Sequence, residues 1–380
     1  MIYLTVGNKF GGIYKSQVLG VCRYLNTLNE GNRVTCVSFI PVRDFFRQRK
    51  TIKAYQRDVI VLPVFFKSHL TLPLIPILVL LCLFRGEQSL MGRGAAATRL
   101  GLLLRNIGVI TDVIYDGRGA HLAELEEYGP ANIATRTAAT HLERNAVLNA
   151  DYRLAVSEKL VEYWTERYGY NGRQHLVIPC TVDTVPEEVI PVWRRTQIRQ
   201  SLGLSAQGVV LVYCGSSQAY QSFDIMNRLL SPLLEEDRGV QLLLLSNVVE
   251  DRLEIKQNFP DQVFTAWVKP EEVVEILSVC DYGIMLREMS VTNQVSAPTK
   301  FAEYLAAGLP VLISEGVGDY SGMVERLGVG VKLSGRKPDL ASLTKVGDLE
   351  RKHVKAQAKK YFAKPAFQHS YEKLLDVSKR

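Results

Sequence analysis

The sequence predicts a two-domain α/β protein in which each domain is built on a parallel β-sheet. Short apolar runs recur along the 380 residues, and each is followed by a turn and then by a segment with helical periodicity. This alternation starts at Ile2 and starts again at Val209, after a polar stretch marked by prolines. Strands that alternate with helices are typical of parallel sheets, and a chain of this length can build two cores. We therefore expect domains at residues 1–183 and 184–360.

Composition narrows the class of partner. The net charge of +7 and the isoelectric point near 9.0 favour an anionic partner. The sequence has no zinc-finger spacing, RNP-type aromatic motif or basic-helix pattern, so nucleic acid is not the expected partner. Phosphorylated substrates and anionic membrane lipids fit the charge as well.

The cysteines and the N-terminus bear on the compartment. The six cysteines are scattered among apolar neighbours without a C-x-x-C pair, which is typical of buried thiols in a reducing compartment. The chain enters its first strand at Ile2, so we expect no signal peptide. The sequence predicts a cytoplasmic protein and leaves open a location at the inner face of the cell membrane.

The first strand, at residues 2–6, is followed by a turn that contains Gly11 and Gly12 and then by a helix. A glycine-rich turn at this place is typical of a Rossmann-like domain, although it matches neither the dinucleotide G-x-G-x-x-G nor a Walker A loop. Glycines allow a ligand to approach the backbone closely. Ordinary turn chemistry explains them equally well.

The next part of the first domain combines basic and apolar segments. Strands are expected at 33–39 and 59–62, with a basic segment at 42–58 between them. Residues 70–84 form the most hydrophobic run of the chain, but 15 residues with two prolines are too few for a transmembrane helix. A buried core helix and a helix docked on the membrane surface both fit, and the basic flanks favour the membrane.

A further strand at 111–115 is followed directly by Asp116 and Arg118. Open α/β sheets bind ligands at the carboxyl ends of their strands, so both side chains are expected at a ligand site. At such a site the Asp116 carboxylate could accept a hydrogen bond from a ligand hydroxyl, and Arg118 could offset negative charge on a ligand. The alternative is a structural Asp–Arg pair that stabilises the turn.

The helix after this turn carries His121, Glu124 and Glu127 at intervals of three residues. This spacing could bind a metal. A lone histidine beside solvated carboxylates is the preferred interpretation, so no metal site is expected.

Residues 180–202 are polar and are expected to link the two domains. The second domain then opens with a strand at 209–214 and a turn that contains Gly215 and Ser216. Further strands are expected at 242–246 and 263–266. Trp267 follows the last of these strands, where it either lines a ligand pocket or packs in the core.

Residues 287–318 carry the strongest indication of chemistry. A buried strand is expected before them at 281–286, followed by an irregular polar loop. A helix is expected to start at Pro298, because proline suits the first helical position, and to be capped by Gly308. Pro310 then leads into a buried strand at 311–314.

The start of this helix has the features of a phosphate site. Free N–H groups and the positive end of the helix dipole point at one spot, where Lys300 adds a full positive charge. Glu303, about one turn further, could hold the two hydroxyls of a ribose. These features predict a cradle for a nucleotide diphosphate. The alternative is an ordinary αβ unit with a solvated lysine and glutamate.

Residues 296–311 (SAPTKFAEYLAAGLPV) resemble the donor-site signature of the GT-B glycosyltransferases. Within them the segment is most similar to the retaining family 4 enzymes that build bacterial capsules, exopolysaccharides and O-antigens. The resemblance implies two Rossmann-like domains facing across a cleft, with a C-terminal helix at 361–380 that crosses back to the first domain. It also implies catalysis without a metal, so no cofactor is expected besides the nucleotide-sugar substrate.

The resemblance assigns roles within this signature. Pro298, Thr299 and Lys300 would hold the donor diphosphate, and Glu303 would hold the ribose. The loop before the helix departs from the pattern: many relatives carry another glutamate eight residues before the ribose-binding one, and that position here is Val295.

Three residues of the same loop are the expected replacements in sugar recognition: Arg287, Glu288 and Asn293. The phosphate and ribose roles follow the family pattern more closely than the sugar-binding role does.

The resemblance extends to other parts of the chain. The turn at Gly11 and Gly12 would approach the donor sugar and diphosphate, and residues 116–119 (DGRG) would face the acceptor and the transferred sugar. Residues 213–216 (YCGS) match the Y-x-G-S that opens the donor domain of relatives, and the loop at Trp267 would receive the base. Neutral residues follow Gly215 where many relatives carry arginine and lysine, which shifts phosphate binding to Lys300 and Arg287.

The sequence thus predicts a retaining glycosyltransferase that moves a sugar from a nucleotide-diphosphate donor, with a UDP-sugar expected, to a lipid-linked or polysaccharide acceptor in bacterial surface glycan synthesis. Asp116, Arg118 and Lys300 are the expected catalytic residues. Two alternatives stay open. One is a non-catalytic subunit that binds a sugar nucleotide or the membrane, and the other is a sugar-nucleotide 2-epimerase, which would use Asp116, His121 and Glu288 as acid and base groups.

Overall fold

The computed structural model describes residues 1–28, 33–65, 72–129, 132–215, 223–246, 254–269, 272–333 and 343–377. The chain divides into two compact units. Unit 1 contains Met1–Asp183 and Phe367–Arg380, and unit 2 contains Thr184–Ala366. Each unit has its own parallel sheet with helices, so the predicted α/β class is confirmed.

The sheet of unit 1 contains seven strands in the described ranges, all of them parallel, in the order β3-β2-β1-β4-β5-β6-β7. The strands are β1 Ile2–Val6, β2 Thr35–Pro41, β3 Ile60–Val64, β4 Ser89–Arg93, β5 Asp112–Gly117, β6 Tyr152–Ala155 and β7 His175–Val177. The strand order reverses between β1 and β4. Open α/β sheets bind ligands at such a switch point, beyond the carboxyl ends of the strands.

The helices of unit 1 up to residue 183 are α1 Gly12–Tyr14, α2 Gly20–Leu28, α3 Val42–Tyr55, α4 Ile75–Arg85, α5 Gly94–Asn106, α6 His121–Glu127, α7 Ile133–Asn149 and α8 Glu158–Tyr168. A π-helical turn, Lys15–Leu19, joins α1 to α2, and a 3-10 turn, Leu72–Leu74, precedes α4.

Helices cover both faces of this sheet. Leu25 of α2 and Ile52 of α3 belong to the core on one face, whereas Leu78 of α4 and Leu100 of α5 belong to the core on the other. Right-handed crossovers require this division, because the chain moves one way across the sheet from β1 to β3 and the opposite way from β3 to β7.

Strand β4 lies in the middle of the sheet, yet the sequence does not predict it. Its residues, SLMGR, include only two large apolar side chains, so the pattern does not indicate a strand. Gly92 is required there, because a Cβ would lie 2.4 Å from the backbone nitrogen of Thr98 in α5. The predicted strands β2, β3 and β5 exist but start one or two residues later than expected.

The most hydrophobic run of the sequence forms α4, which buries only one face. Leu78 and Cys82 pack against the sheet, whereas Leu80, Leu83 and Phe84 are exposed. The basic helix α3 packs on the opposite face of the sheet, so it does not flank this apolar surface as expected. In the described part of the chain, no helix is both long and apolar enough to cross a membrane.

The described strands of unit 2 form a six-stranded parallel sheet in the order β10-β9-β8-β11-β12-β13. They are β8 Val209–Cys214, β9 Val240–Leu245, β10 Val263–Thr265, β11 Tyr282–Met285, β12 Val311–Ser314 and β13 Gly330–Leu333. The predicted strands from β8 to β12 are confirmed to within two residues. The order reverses between β8 and β11, which makes their carboxyl ends the switch point of this sheet.

The helices of unit 2 in the described ranges are α9 Val192–Ser201, α10 Phe223–Glu236, α11 Glu254–Asn258, α12 Val273–Val279, α13 Val291–Gln294, α14 Thr299–Ala306, α15 Tyr320–Leu327 and α16 Asp348–Tyr361. The expected linker at 180–202 therefore contains a helix, α9, which is part of unit 2.

Asp281, fully buried just before β11, fastens two of these helices to the sheet. Its Oδ2 accepts hydrogen bonds from Arg199 of α9 at 2.7 Å and from the Val210 N–H at 2.8 Å. Its Oδ1 accepts from Arg351 of α16 at 3.3 Å and from the Val346 N–H at 3.2 Å. A buried carboxylate satisfied on both oxygens rigidifies the structure around it.

The chain returns to unit 1 in its last helix, α17 Gln368–Val377, after a 3-10 turn at Lys364–Phe367. Tyr371, Leu374 and Leu375 are buried in the core that also contains residues of α2. The Tyr371 ring packs edge-on against Tyr24, with the ring centroids 5.3 Å apart.

Candidate functional site

The candidate site of unit 2 forms where β8 and β11 end and α14 begins. The sequence predicts that this helix starts at Pro298. Instead, Pro298 has an extended conformation and caps the helix, and Thr299 is the first helical residue. The Phe301 N–H closes the first turn on the Pro298 carbonyl at 3.1 Å. At the other end, Gly308 has the left-handed φ of 76°, which confirms the predicted C-terminal cap. The partial positive charge of the α14 N-terminus therefore lies at the switch point of the sheet.

Lys300 lies over the ring of Tyr213, near the end of β8. Its Nζ is 4.5 Å from the ring centroid and 3.5 Å from the phenol oxygen. Burial and the positive charge of Arg287 lower the pKa of Lys300 to about 7, while Cys214 and Glu303 act in the opposite direction. Burying a protonated amine beside an arginine costs free energy, and a bound anion would offset that cost. Lys300 and Arg287 together therefore favour an anionic ligand.

Glu303 lies one helical turn after Lys300, on the same side of α14. Burial raises the pKa of its half-buried carboxyl group, and the charge of Lys300 opposes this shift. No side chain or N–H group in the described ranges donates a hydrogen bond to this carboxylate. A carboxylate in this setting can accept hydrogen bonds from two neighbouring hydroxyls of a ligand.

Tyr304 fixes the geometry around these two residues, and only one feature of the sequence points to this role. Its hydroxyl accepts a hydrogen bond from the Cys214 N–H at 3.0 Å and donates to the Ile284 carbonyl at 3.4 Å. Its ring covers Gly283 in β11, where a Cβ would lie 2.4 Å from ring atom Cδ2. A glycine inside a buried strand marks the close approach of another group, and it is the one sequence signal for this contact.

Arg287 holds the loop between β11 and α14. Its Nη1 donates to Oδ1 of Asn293 at 3.1 Å and to Oγ of Ser296 at 3.3 Å. Its backbone N–H donates to Oγ of Ser314 at 2.8 Å, and the same hydroxyl donates back to the Arg287 carbonyl. The guanidinium is therefore fixed in position, close enough to Lys300 to lower its pKa.

One position of this loop, Asn293, differs from its expected role in sugar recognition. Asn293 is fully buried, and its amide donates to the Glu288 carbonyl at 3.0 Å while its oxygen accepts from Arg287. It positions Arg287 and has no surface left for a sugar, which corrects the expectation that it contacts the donor. Val295, where relatives carry a glutamate, is buried as well.

A cavity of about 360 Å³ opens beside this loop. Arg287, Glu288 and Met289 line it from the loop, and Ser314 and Glu315 line it from the end of β12. Side chains of α10, including Arg228, form the opposite wall. Its volume lies within the range of small-molecule sites, and arginines and glutamates give it both hydrogen-bond donors and acceptors.

Three other predicted donor contacts in unit 2 have different outcomes. Trp267 is 69% exposed in the loop after β10, which excludes the core alternative, and its contact with a base stays a prediction. Gly215 directly follows β8, and its N–H donates to the Leu245 carbonyl at 3.1 Å. Ser216 lies outside the described residues.

In unit 1, Asp116 lies inside β5 and is 1% exposed. Its Oδ2 accepts hydrogen bonds from the Tyr3 hydroxyl at 2.5 Å and from Arg93 at 3.2 Å, and its Oδ1 accepts from Arg118 at 3.4 Å. The carboxylate has no surface left for an acceptor hydroxyl. The predicted role of Asp116 is therefore corrected: it anchors two arginines, which is the structural alternative.

Arg118 is only partly buried, with its guanidinium held by several groups. Its Nη2 lies 3.3 Å from Oε1 of Gln17 and 3.0 Å from Sγ of Cys180. Gln17 in turn donates to the Thr181 carbonyl at 2.7 Å. A fixed guanidinium that is partly open to solvent can bind an anionic group, so Arg118 keeps its predicted role as a hypothesis.

The turn at Gly11 and Gly12 is exposed. Gly11 has an extended backbone that any residue adopts, and Gly12 begins α1. A Cβ on either residue would have no protein atom within 4 Å. The conformation of Gly11 does not require glycine, and the space in front of the turn is open to a ligand.

No group of three or more histidine, cysteine, aspartate or glutamate side chains in the described residues could hold a metal ion. His121, Glu124 and Glu127 of α6 therefore do not form such a site.

The sequence matches no protein-family model and no curated protein. Solved structures do match it along almost its whole length. HepE of Anabaena in complex with UDP-glucose has a TM-score of 0.71 and 16% identity, with 99% of this chain and 98% of that chain covered. Sucrose-phosphate synthase of Thermosynechococcus elongatus has a TM-score of 0.70 and 14% identity, with 99% and 98% covered. WaaG, a glycosyltransferase involved in lipopolysaccharide biosynthesis, has a TM-score of 0.64 and 13% identity, with 99% of both chains covered.

Structural similarity at 13% to 16% sequence identity shows a shared fold and nothing beyond it. The two parallel sheets and the match along both units confirm the predicted GT-B fold.

Proposed function

We propose that this protein is a glycosyltransferase whose donor is a nucleotide-diphosphate sugar, with UDP-sugars as the donor class. The observation that carries the proposal is that two cations, Lys300 and Arg287, lie close together at the N-terminus of α14. Glu303 follows Lys300 by one helical turn. Two cations and a helix dipole suit a diphosphate, and the carboxylate suits ribose hydroxyls. HepE, which shares the fold, has been solved with UDP and with UDP-glucose.

In the proposed reaction, the bond between the anomeric carbon and the diphosphate oxygen breaks, and the oxygen of an acceptor hydroxyl bonds to the same face of the sugar, so the configuration is retained. The hydroxyl proton passes to the departing diphosphate. Negative charge grows on the diphosphate as the bond breaks. Protonated Lys300, Arg287 and the α14 dipole would stabilise this charge without a metal ion. We also propose that Arg118 and the turn at Gly11 and Gly12 bind substrate.

The acceptor in this proposal is a lipid-linked or polysaccharide hydroxyl, and the reaction takes place in the cytoplasm or at the inner face of the cell membrane. The resemblance of residues 296–311 to family 4 signatures supports this assignment. The fold shared with WaaG agrees with it.

A non-catalytic subunit that binds a sugar nucleotide is the second candidate. Val295 is a buried apolar residue where relatives carry a carboxylate, and the amide of Asn293 is fully engaged, so the sugar-binding part of the site departs from an enzyme pattern. The 2-epimerase alternative is weaker, because the burial of Asp116 removes one of its three acid–base candidates.

The first test is donor binding by calorimetry with UDP-, GDP-, ADP- and TDP-glucose. We expect one nucleotide class to bind the wild type, and we expect Lys300→Met and Glu303→Gln each to weaken binding by about tenfold to a hundredfold, because each removes a charged contact. Lys352→Met and Glu235→Gln are matched controls on exposed residues and should bind like the wild type. If no nucleotide sugar binds, or if both site variants bind normally, the donor site is wrongly assigned.

Turnover separates the two candidate functions. The wild type is incubated with the donor that binds and with a membrane-lipid extract, and UDP release and transferred sugar are measured. An enzyme should release UDP in a reaction that Lys300→Met slows at least as strongly as it weakens binding. Binding without any turnover would favour the non-catalytic subunit.

A further inference from the structure

An apolar surface covers the outside of α4 in unit 1. Ile77, Leu80, Leu83 and Phe84 are 39%, 54%, 66% and 85% exposed. The helix sequence IPILVLLCLFR has no charged residue before Arg85. Exposed apolar surface on this scale marks contact with a protein or a membrane.

A cavity with positive charge lies on the same side of the sheet. Helix α5 lies between α4 and α7 and is recessed, so that none of its residues from 94 to 105 is exposed. The cavity, of about 550 Å³, is lined by Arg99 of α5 and by polar residues of α7 that include His141, Arg144, Asn145 and Asn149.

The two arginines of this cavity have no partner for their side chains among the residues that the structure describes. The arginines nearby are engaged: Arg105 forms an ion pair with Asp151 at 2.6 Å, and Arg153 donates to the Val147 carbonyl at 2.6 Å. Free guanidinium groups beside a histidine suit a phosphate group, which Arg can bind through two N–H donors.

The charge of the protein is concentrated in the same unit. Unit 1 has 25 lysines and arginines against 17 aspartates and glutamates, a net charge of +8, whereas unit 2 has 21 against 22. A second copy docked on α4 would bring two positive units together, which opposes self-association through this surface. An anionic surface complements both the charge and the apolar helix.

We propose that α4, α5 and α7 form a surface that docks unit 1 on a bilayer of anionic phospholipid. Leu83 and Phe84 enter the boundary between headgroups and acyl chains, and Arg99, His141 and Arg144 bind a lipid phosphate. This docking decides between the two locations that the proposed function leaves open, and it does not depend on donor binding. The basic helix α3, on the opposite face of the sheet, has no part in it.

The test is sedimentation of the full chain with vesicles of phosphatidylcholine alone or with about one third phosphatidylglycerol. The wild type should bind only the anionic vesicles, and more weakly at high salt. The variant Arg99→Gln/Arg144→Gln should bind about 30-fold more weakly, and Leu83→Gln/Phe84→Gln at least tenfold more weakly. UDP-glucose binding should be unchanged in both, so that failure of this proposal is distinct from failure of the proposed function.

Matched controls carry the same changes elsewhere on the surface. Arg173→Gln/Lys352→Gln removes two exposed positive charges, and Leu349→Gln removes an exposed leucine of unit 2. Both should bind vesicles within twofold of the wild type, and melting temperatures should show that all variants fold. Arg144→Gln alone, at an exposed position, serves if the double arginine variant is unstable.

Four results would overturn the proposal. The wild type could fail to bind anionic vesicles, or both site variants could bind them as well as the wild type. The arginine variant could lose binding of inorganic phosphate without losing vesicles, which would leave an anion site only. A change from dimer to monomer in Leu83→Gln/Phe84→Gln, measured by sedimentation velocity, would make α4 an interface between copies of the chain.

Discussion

Lys300 couples the candidate donor site to pH through its own protonation. Burial and the charge of Arg287 lower its pKa to about 7 in the free protein. A bound diphosphate brings two negative groups next to the amine and must raise that pKa. Because only the protonated amine attracts the diphosphate, binding takes up a proton at any pH between the two values.

We therefore expect the affinity for a UDP-sugar to be constant well below pH 7 and to fall by up to about tenfold per pH unit above it. Calorimetry between pH 6 and 9 measures this slope. UDP-glucose is the suitable ligand, because its diphosphate does not titrate in this range.

The matched control for this slope is Lys300→Met, whose weaker binding should not change with pH. An equal slope in Lys300→Met would show that another group is responsible, and a flat profile in the wild type would contradict the lowered pKa.

At the scale of single elements, the packing of α14 against its neighbouring strands holds the candidate site together. Tyr304 of α14 lies on Gly283 of β11, and its hydroxyl holds the end of β8 through the Cys214 N–H. Helix α14, which carries Lys300 and Glu303, is therefore packed tightly against strand β11 at this contact. Cores of this density do not accept an additional methyl group without moving a neighbour.

We expect Gly283→Ala to lower the free energy of unfolding by about 1–3 kcal/mol, because the new Cβ would lie 2.4 Å from the Tyr304 ring. Displacement of Tyr304 should also weaken donor binding. Urea unfolding and calorimetry measure the two effects.

Gly322→Ala, inside α15, is the matched control. A Cβ there has no atom within 4 Å, so this variant should be as stable as the wild type or slightly more stable. If Gly283→Ala unfolds at the wild-type urea concentration, the contact with Tyr304 is looser than described.

At the scale of the whole molecule, the chain leaves unit 1 at residue 183 and returns to it at residue 367. Helix α17 then supplies Tyr371, Leu374 and Leu375 to a core otherwise built from the first part of the chain. Unit 1 is therefore completed only when the last residues are in place.

Leu374→Ala should lower the free energy of unfolding of unit 1 by about 2–5 kcal/mol, since the fully buried side chain leaves a cavity. Urea unfolding followed by the fluorescence of Trp164, a buried residue of unit 1, measures this change.

The control is Leu349→Ala on α16, where the side chain is almost fully exposed, and it should change the stability by less than about 0.5 kcal/mol. Equal stability of the two variants would mean that α17 is not part of the unit 1 core.

The sequence alone determined the α/β class and most strands, because apolar runs, turns and helix periodicity are local patterns. It also determined that Lys300 and Glu303 lie one turn apart on a helix that ends before Gly308, since their spacing and the glycine cap depend only on neighbours in the chain. The family signature at 296–311 is of the same local kind. The proposed phosphate and ribose contacts of the candidate site rest on these features.

Only the tertiary structure decided which polar groups are available and which face of each helix is free. Asp116 meets Tyr3, 113 residues away, so its burial has no local signature. Asn293 is engaged by Arg287, Tyr304 covers Gly283 on a neighbouring strand, and β4 is fixed by its place between β1 and β5. The apolar run of α4 is half exposed because crossover handedness places α3 on the other face of the sheet. Burial and pairing depend on residues far apart in sequence, and local patterns carry no record of them.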